Sequence, residues 1–218
     1  VILRDEISGE EFEIKPKVLV NAGGPWIDRL NREMGKETRY IRGTKGSHIV
    51  VDHPKLREAS GENEIFFENK DGRIVLIYPL GERVLIGTSD LDLDDPDVAV
   101  MTDEELEYFI EMVGVVFPDI MVSRDEVVFS FSGVRPLTAM DTKTSGQISR
   151  NHRIGVIEEK GLKFPVYSLI GGKWTSFRAF SEQATDKVLE FLGLERKVDT
   201  DELKIGGAEG LGDVGVLV

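Results

Sequence analysis

The residues best equipped for chemistry gather in one stretch, Phe129 to Arg178, which reads FSFSGVRPLTAMDTKTSGQISRNHRIGVIEEKGLKFPVYSLIGGKWTSFR. Arg135 lies in SGVRPL, whose Gly and Pro predict a tight turn, and Arg150 follows in SRNHRI. Lys173 and Thr175 follow in IGGKWT, where an apolar run ending at Ile170 breaks at Gly171 and Gly172 and restarts as a helix. Three cationic groups on turns, beside a glycine-rich helix start, suit an anion held against a cofactor. The start of a helix exposes unpaired N–H groups and the positive end of its dipole. Gly171 and Gly172 have no Cβ, so a bulky ligand can come close to the backbone. Taken singly, each motif also reads as an ordinary loop with a surface cation.

The bulk of the chain bounds what those groups can serve. The 218 residues are 40% hydrophobic and 31% charged, as in a folded globular protein. The formal net charge of −13 excludes a polyphosphate backbone as a natural partner, so no nucleic acid is expected. The chain has no cysteine, which removes disulfides, thiolate metal sites and thiol nucleophiles; no metal site is expected. No apolar run is long enough to cross a bilayer. No signal peptide is visible, and the reading is cytoplasmic, with room for membrane association. The chain starts at Val1 in mid-pattern and reads as a fragment.

The elements that must position these groups follow in order. Val1 to Val20 reads as a hairpin around Ser8 to Glu11, closing on the apolar run Val18 to Val20, expected to be a fully buried strand. The strand ends at Asn21-Ala22-Gly23-Gly24-Pro25, and Trp26 to Met34 follows as a helix with Trp26, Ile27, Leu30 and Met34 on one face. A strand running through small residues into a helix is how α/β folds bring backbone N–H groups to a dinucleotide; a plain packing unit has the same spacing. Residues 39–132 read as consecutive antiparallel strands, unlike a βαβ rhythm. Asp90 to Asp97 reads as a solvated acidic loop, since an EF-hand would need glycine where Asp95 stands and glutamate where Met101 stands. Thr102 and Glu105 make a capping box for a helix whose stripe is Leu106, Phe109, Ile110 and Val113. A last helix runs from Trp174 to Leu192, with Gly193 as its stop. The GLGDVG near the end matches G-x-G-x-x-G on paper but lacks a preceding strand and is rejected as a phosphate loop.

GVRPL, SRNHRI and GGKWTSFR resemble the C-terminal half of the FAD-dependent glycerol-3-phosphate dehydrogenases, in the D-amino-acid-oxidase-like flavoprotein superfamily. VLVNAGGPWIDRL, TKGSHIVV and LIGTSD resemble the same family in the same order, from Val18 to Leu194. The resemblance implies an α/β (α+β) fold, the C-terminal part of a Rossmann-like FAD-binding domain with an inserted, mainly antiparallel substrate domain. It places residues 1–38 and 133–194 in the FAD-binding part, 39–132 in the substrate domain and 195–218 in a linker. It implies oxidation of sn-glycerol 3-phosphate to dihydroxyacetone phosphate, with a hydride passed to FAD.

By the same resemblance, Arg135, Arg150, Lys173 and Thr175 are substrate-side groups. Arg150 and Lys173 are read as phosphate ligands, and Arg135 as the group nearer the reacting oxygen. His48, in TKGSHIVV, is the candidate general base; the alternative is a satisfied strand histidine. Ala22, Gly23, Gly24, Gly171, Gly172, Lys173, Trp174 and Thr175 are the FAD-proximal candidates. Trp174 and Phe177 stand where the family more often has leucine and tyrosine. The family's first-strand dinucleotide fingerprint is not in this sequence, so the 218 residues are expected to be inactive alone. Quinone, oxygen or a partner subunit fit as electron acceptor, and peripheral membrane contact and a homodimer are compatible with the reading. The alternatives are an amine or 2-hydroxy-acid oxidase of the same superfamily, or a related non-catalytic domain.

Overall fold

Residues 1–139, 151–158 and 161–203 are described by a computed structural model. The chain forms two units, residues 1–20 with 151–218, and residues 21–150. In the first, β1 (Ile2–Arg4) pairs antiparallel with β2 (Glu11–Glu13), Leu3 opposite Phe12, which is the expected hairpin. β3 (Leu19–Asn21) departs from expectation: Val20 is 44% exposed, and Asn21 is the strand's buried residue. Its place at the edge of a three-stranded sheet explains this, because an edge strand is covered on fewer sides.

The second unit is built on α1 (Ile27–Glu33), β4 (Ile41–Val51) and the strands around β4. A 3₁₀ turn over Gly24–Trp26 precedes α1, with Pro25 in its first turn. The buried face of α1 is Ile27 and Asn31, while Trp26 and Leu30 are exposed. Hydrogen bonding overrides the apolar stripe here. The Trp26 indole N–H donates to Asp97 at 2.8 Å, and the Asn31 carbonyl oxygen accepts from the Asn21 amide at 2.8 Å.

After β4 comes α2 (Pro54–Ser60), a short helix not read from the sequence. Its signal was His53 before Pro54: the ring Nδ1 accepts the Leu56 N–H at 3.1 Å and Pro54 takes the first helical position. Then follow β5 (Ile65–Glu68), β6 (Ile74–Leu80), β7 (Arg83–Gly87), β8 (Leu91–Asp92), α3 (Asp103–Val116) and β9 (Val127–Thr138). The strands make one antiparallel sheet, β5-β6-β7-β4-β8, with β9 on the other side of β4. The Thr102–Glu105 capping box forms as expected.

SGVRPL is strand rather than turn. β9 pairs with β4 from Val51 to Ile41, with Arg135 opposite Thr44 and Pro136 opposite Gly43. Proline is tolerated because β9 is an edge strand and needs no outward N–H donor. The same continuity groups residues 21–38 and 133–139 with the sheet, where the sequence reading set them with the cofactor-binding part.

Alternation along the strands gives the sheet two different faces. One face carries Ile49, Val51, Val75, Ile77, Val84 and Ile86 and packs on Phe109, Met112 and Val113 of α3 and Leu56 of α2. Each such side chain contributes about 1.5–3 kcal/mol when fully buried. The opposite face carries Thr44, Gly46, His48, Gly87, Phe131 and Arg135, as the pairs Thr44–Arg135, His48–Phe131 and His48–Gly87 require.

The chain then returns to the first unit with β10 (Arg153–Ile157), β11 (Val166–Ile170) and α4 (Phe177–Leu192), the sheet order being β10-β11-β3. α4 buries Phe180 and Ala184, while Trp174 and Phe177, expected on its packed side, are exposed. Gly193 caps it in the left-handed conformation, φ 65°.

Candidate active site

Two strand glycines make room for the two candidate catalytic groups. A Cβ on Gly87 would lie 2.8 Å from His48 Nε2 and 2.9 Å from its Cγ, so the imidazole rests directly over bare backbone. A Cβ on Gly46 would collide with the Arg135 guanidinium. Phe131 stacks on His48 with ring centroids 4.9 Å apart and planes 9° from parallel. The imidazole is therefore held by packing. Its Nδ1 is buried and meets no hydrogen-bond partner among the described residues, as does Thr44 Oγ1 on the same face. Burial, and then the positive charge of Arg135, push the His48 pKa below its ordinary value. A neutral imidazole with an unused buried nitrogen is suited to accept a proton.

Arg135 is aimed by the segment after β7. Its Nη2 donates to Thr88 Oγ1 at 2.8 Å and its Nη1 to the Ser89 carbonyl at 3.2 Å, with Asp90 Oδ1 at 3.5 Å. The guanidinium stays about one-third exposed. LIGTSD thus supplies the seat of Arg135, a role its sequence did not disclose.

The acidic loop is exposed at Asp92, Asp94, Asp95 and Asp97, as expected of a solvated loop, and it also makes ion pairs. Asp90 meets Arg135, Asp92 meets Arg42 at 2.6 Å, and Asp97 takes Arg29 and Trp26 together. Bonds from Trp26 and Arg29 hold the Asp97 carboxyl below its usual range. A cleft of about 640 Å³ nearby is lined by Arg29, Arg32, Arg39 and Arg42. Three of these already face carboxylates, so the cleft is charge-balanced and is not the site of His48 or Arg135.

Behind the site lies a buried polar cluster. Glu105 accepts from Lys45 Nζ at 2.7 Å, the Thr102 N–H at 2.9 Å, Ser47 Oγ at 2.8 Å and Ser89 Oγ at 2.5 Å. Burial pushes its carboxyl up, but the bonds from Lys45, Ser89, Thr102 and Ser47 outweigh this and hold it below the usual range.

The cofactor-side candidates fall in two groups. Around Ala22–Gly24, Asn21 is the clamp: its amide donates to the Ile27 carbonyl at 3.0 Å and its oxygen accepts the Gly23 N–H at 3.1 Å. Gly23 allows the close approach of loop and helix, since a Cβ there would lie 2.5 Å from Leu30 Cδ1. Ala22 is exposed and Gly24 takes φ 57°. In the other unit, Gly171 and Gly172 take φ 72° and 101°, values that side chains strain. Lys173, Trp174 and Thr175 follow and are exposed, Trp174 at 90%. Ser176 Oγ accepts the Lys173 N–H at 3.1 Å and fixes this turn. Arg150 lies outside the described residues. The structure thus brings His48 and Arg135 to one sheet face and sets Gly171 to Thr175 on one turn.

The family described as FAD dependent oxidoreductase matches residues 2–164. The chain belongs to that family. It is 32% identical over 207 residues to the aerobic glycerol-3-phosphate dehydrogenase of Staphylococcus haemolyticus, covering 93% of this chain and 35% of that protein. It is 37% identical over 196 residues to the glycerol-3-phosphate dehydrogenase of Synechocystis, covering 85% and 35%. The X-ray structure of the Bacillus halodurans glycerol-3-phosphate dehydrogenase complexed with FAD superposes with a TM-score of 0.74 at 28% identity, over 91% of this chain and 37% of that one. The chain therefore spans about a third of the length of these relatives. The cofactor of the family is FAD, and the bare positive-φ backbone at Gly171–Gly172 fits the close approach of a broad planar ligand.

Among the described residues no helix is long and apolar enough to cross a membrane. The carboxylates of Glu182, Asp199 and Asp201 cluster within 4.8 Å, but Glu182 and Asp201 are ion-paired with Arg178.

Sequence reading missed Phe131, Gly46, Gly87, Thr88, Ser89, Lys45 and Glu105 as parts of this arrangement. All are brought together by strand register or by contacts between distant segments. Short-range motifs carry no such signal, apart from the Thr102–Glu105 spacing that marked Glu105 as a capping residue.

Proposed function

We propose that this chain supplies the substrate-binding sheet and part of the FAD-binding domain for oxidation of sn-glycerol 3-phosphate to dihydroxyacetone phosphate. The observation that carries it is the pairing, on one sheet face, of His48, kept neutral by burial and by Arg135, with an Arg135 seated by Thr88 and Ser89. His48 takes the proton of the C2 hydroxyl. Arg135 stabilises the charge that develops on that oxygen as the C2–H electron pair leaves as hydride. Arg150 and Lys173 bind the phosphate dianion and Thr175 assists. Bound FAD, held by residues 22–24 and 171–175, supplies the two-electron acceptor. The electrons pass to a quinone or another acceptor, and peripheral membrane contact and a homodimer belong to the same reading. The names of the relatives support the substrate, and the arginine-rich constellation favours a phosphate ester over the single carboxylate of an amino acid.

The test is anaerobic bleaching, in the full-length protein, of the bound flavin by sn-glycerol 3-phosphate, glycerol, glycine or 2-hydroxyglutarate. Bleaching by the phosphate ester alone is expected. Bleaching by glycine or the hydroxy acid, but not by the ester, removes the proposal.

A further inference from the structure

The strand register around β4 contains an irregularity whose repair is made entirely of side chains. His48 pairs with Gly87 on β7, and Lys45 pairs next with Leu91 on β8. Gly46 and Ser47 therefore face three residues, Thr88, Ser89 and Asp90, which leave the ladder as a bulge. That bulge carries the Thr88 hydroxyl and the Ser89 carbonyl that aim Arg135. Ladder bonds do not hold it there. Instead the Ser47 N–H donates to Ser89 Oγ at 2.9 Å, and Ser89 Oγ donates to Glu105 Oε1 at 2.5 Å. Ser47 Oγ donates to the same oxygen at 2.8 Å and lies 2.7 Å from Ser132 Oγ, three residues before Arg135 on β9. Lys45 and the Thr102 N–H fix the other oxygen of Glu105. One carboxylate thus ties the strand that bears His48, the bulge that seats Arg135 and the strand that bears Arg135.

Stability does not explain this choice. Glu105 and Lys45 are 4% and 5% exposed, and a buried ion pair gains little over well-packed apolar residues of the same volume. The neighbouring part of this face on β4, β6 and β7 is apolar, and aliphatic side chains would continue it.

We propose that Glu105 is a positioning residue that, through Ser89 and Ser47, holds the bulge at residues 88–90 in the shape that aims Arg135 at the substrate. This rests on the reading that Arg135 acts on the reacting oxygen. Glu105 touches neither substrate nor cofactor; it acts through the serines. The seat, not the charge, is what the site needs from it.

The experiment is rapid-mixing reduction of the FAD-loaded enzyme by sn-glycerol 3-phosphate without oxygen, with rates normalised to bound flavin. Ser89→Ala and the double variant Lys45→Met/Glu105→Leu are compared with the parent. The double variant removes both charges together, so it avoids a lone buried lysine; because it also gives up the Glu105 half of the capping box, it is expected to fold with a modestly lowered melting temperature. Both variants are expected to lose at least tenfold in the reduction rate at saturating substrate, with the substrate dissociation constant changing less than threefold. A purely structural role would lower the melting temperature and leave that rate alone. Saturating rates within twofold of the parent in both variants overturn the proposal while the functional reading stands. A parent enzyme that the phosphate ester does not reduce removes the functional reading and this proposal with it. Should Ser89→Ala fail to fold, the double variant decides by the same criterion.

Discussion

Replacing Gly87 with alanine tests the catalytic geometry with a single methyl group. Gly87 is a strand residue without a positive φ, so φ does not penalise alanine there. The whole effect must come from the new Cβ, which would lie 2.8 Å from His48 Nε2 and 2.9 Å from its Cγ. The ring Cδ2 would be closer still, and ordinary contact begins at 3.4 Å, so the ring must move by about 1 Å. Phe131 stacks on that ring at 4.9 Å and must shift with it. Overpacking of this kind costs about 1–3 kcal/mol. Misplacing a reacting group by about 1 Å costs on the order of 100-fold in rate. We expect flavin reduction by sn-glycerol 3-phosphate to slow by about 10- to 100-fold, which corresponds to roughly 1.4–2.7 kcal/mol of barrier. FAD content and far-UV circular dichroism should stay at parent levels. The control is Gly114→Ala on the exposed side of α3, where a Cβ meets nothing within 4 Å. Reduction by the Gly87 variant within twofold of the control would refute the placement of His48 as the base.

The remaining predictions use the same preparation. Gly46→Ala displaces the Arg135 guanidinium and should lower the reduction rate about tenfold or more; parent-like turnover would detach Arg135 from the chemistry. Because burial and Arg135 lower the His48 pKa, the neutral base persists to lower pH than in a free histidine. Activity should be full at neutral pH and fall as the pH drops through a midpoint below about 6.5, and a midpoint above 7 would contradict the assignment. Lys173→Ala should weaken substrate binding about 10- to 100-fold, the loss of one charge-assisted bond, while the rate at saturation changes little. Thr102→Ala removes the helix cap that donor–acceptor geometry shows in full, and should cost about 1 kcal/mol; Gly114→Ala should add about 0.5–1 kcal/mol. Both are read by denaturant midpoint.

Much of this protein was legible in the chain itself wherever the physics is local. Short apolar runs separated by polar or glycine turns located β5, β6 and β7, because apolar, β-branched side chains fit a pleated, half-buried surface. Thr102 and Glu105 announced the start of α3, and Gly193 the end of α4, because caps satisfy backbone groups within one turn. The paired glycines at 171 and 172 marked a turn that only positive φ allows. His48 and Arg135 could be singled out by motif. Their partnership could not, since 87 positions separate them in sequence.

Tertiary structure decided the rest. GVRPL looks like a turn in isolation, and pairing with β4 along an open edge makes it strand, which turns Arg135 onto the face of His48. Trp26 and Leu30 look like core, and hydrogen bonds to Asp97 and between Asn21 and Asn31 give the inside of α1 to Ile27 and Asn31. The acid-rich loop looks solvated and is exposed, and three arginines from other segments also pair with its carboxylates. Each of these outcomes depends on which distant groups meet. Register, edge position and pairing are properties of the assembled sheet, so a window of neighbouring residues carries the cause of an element but not the company it keeps.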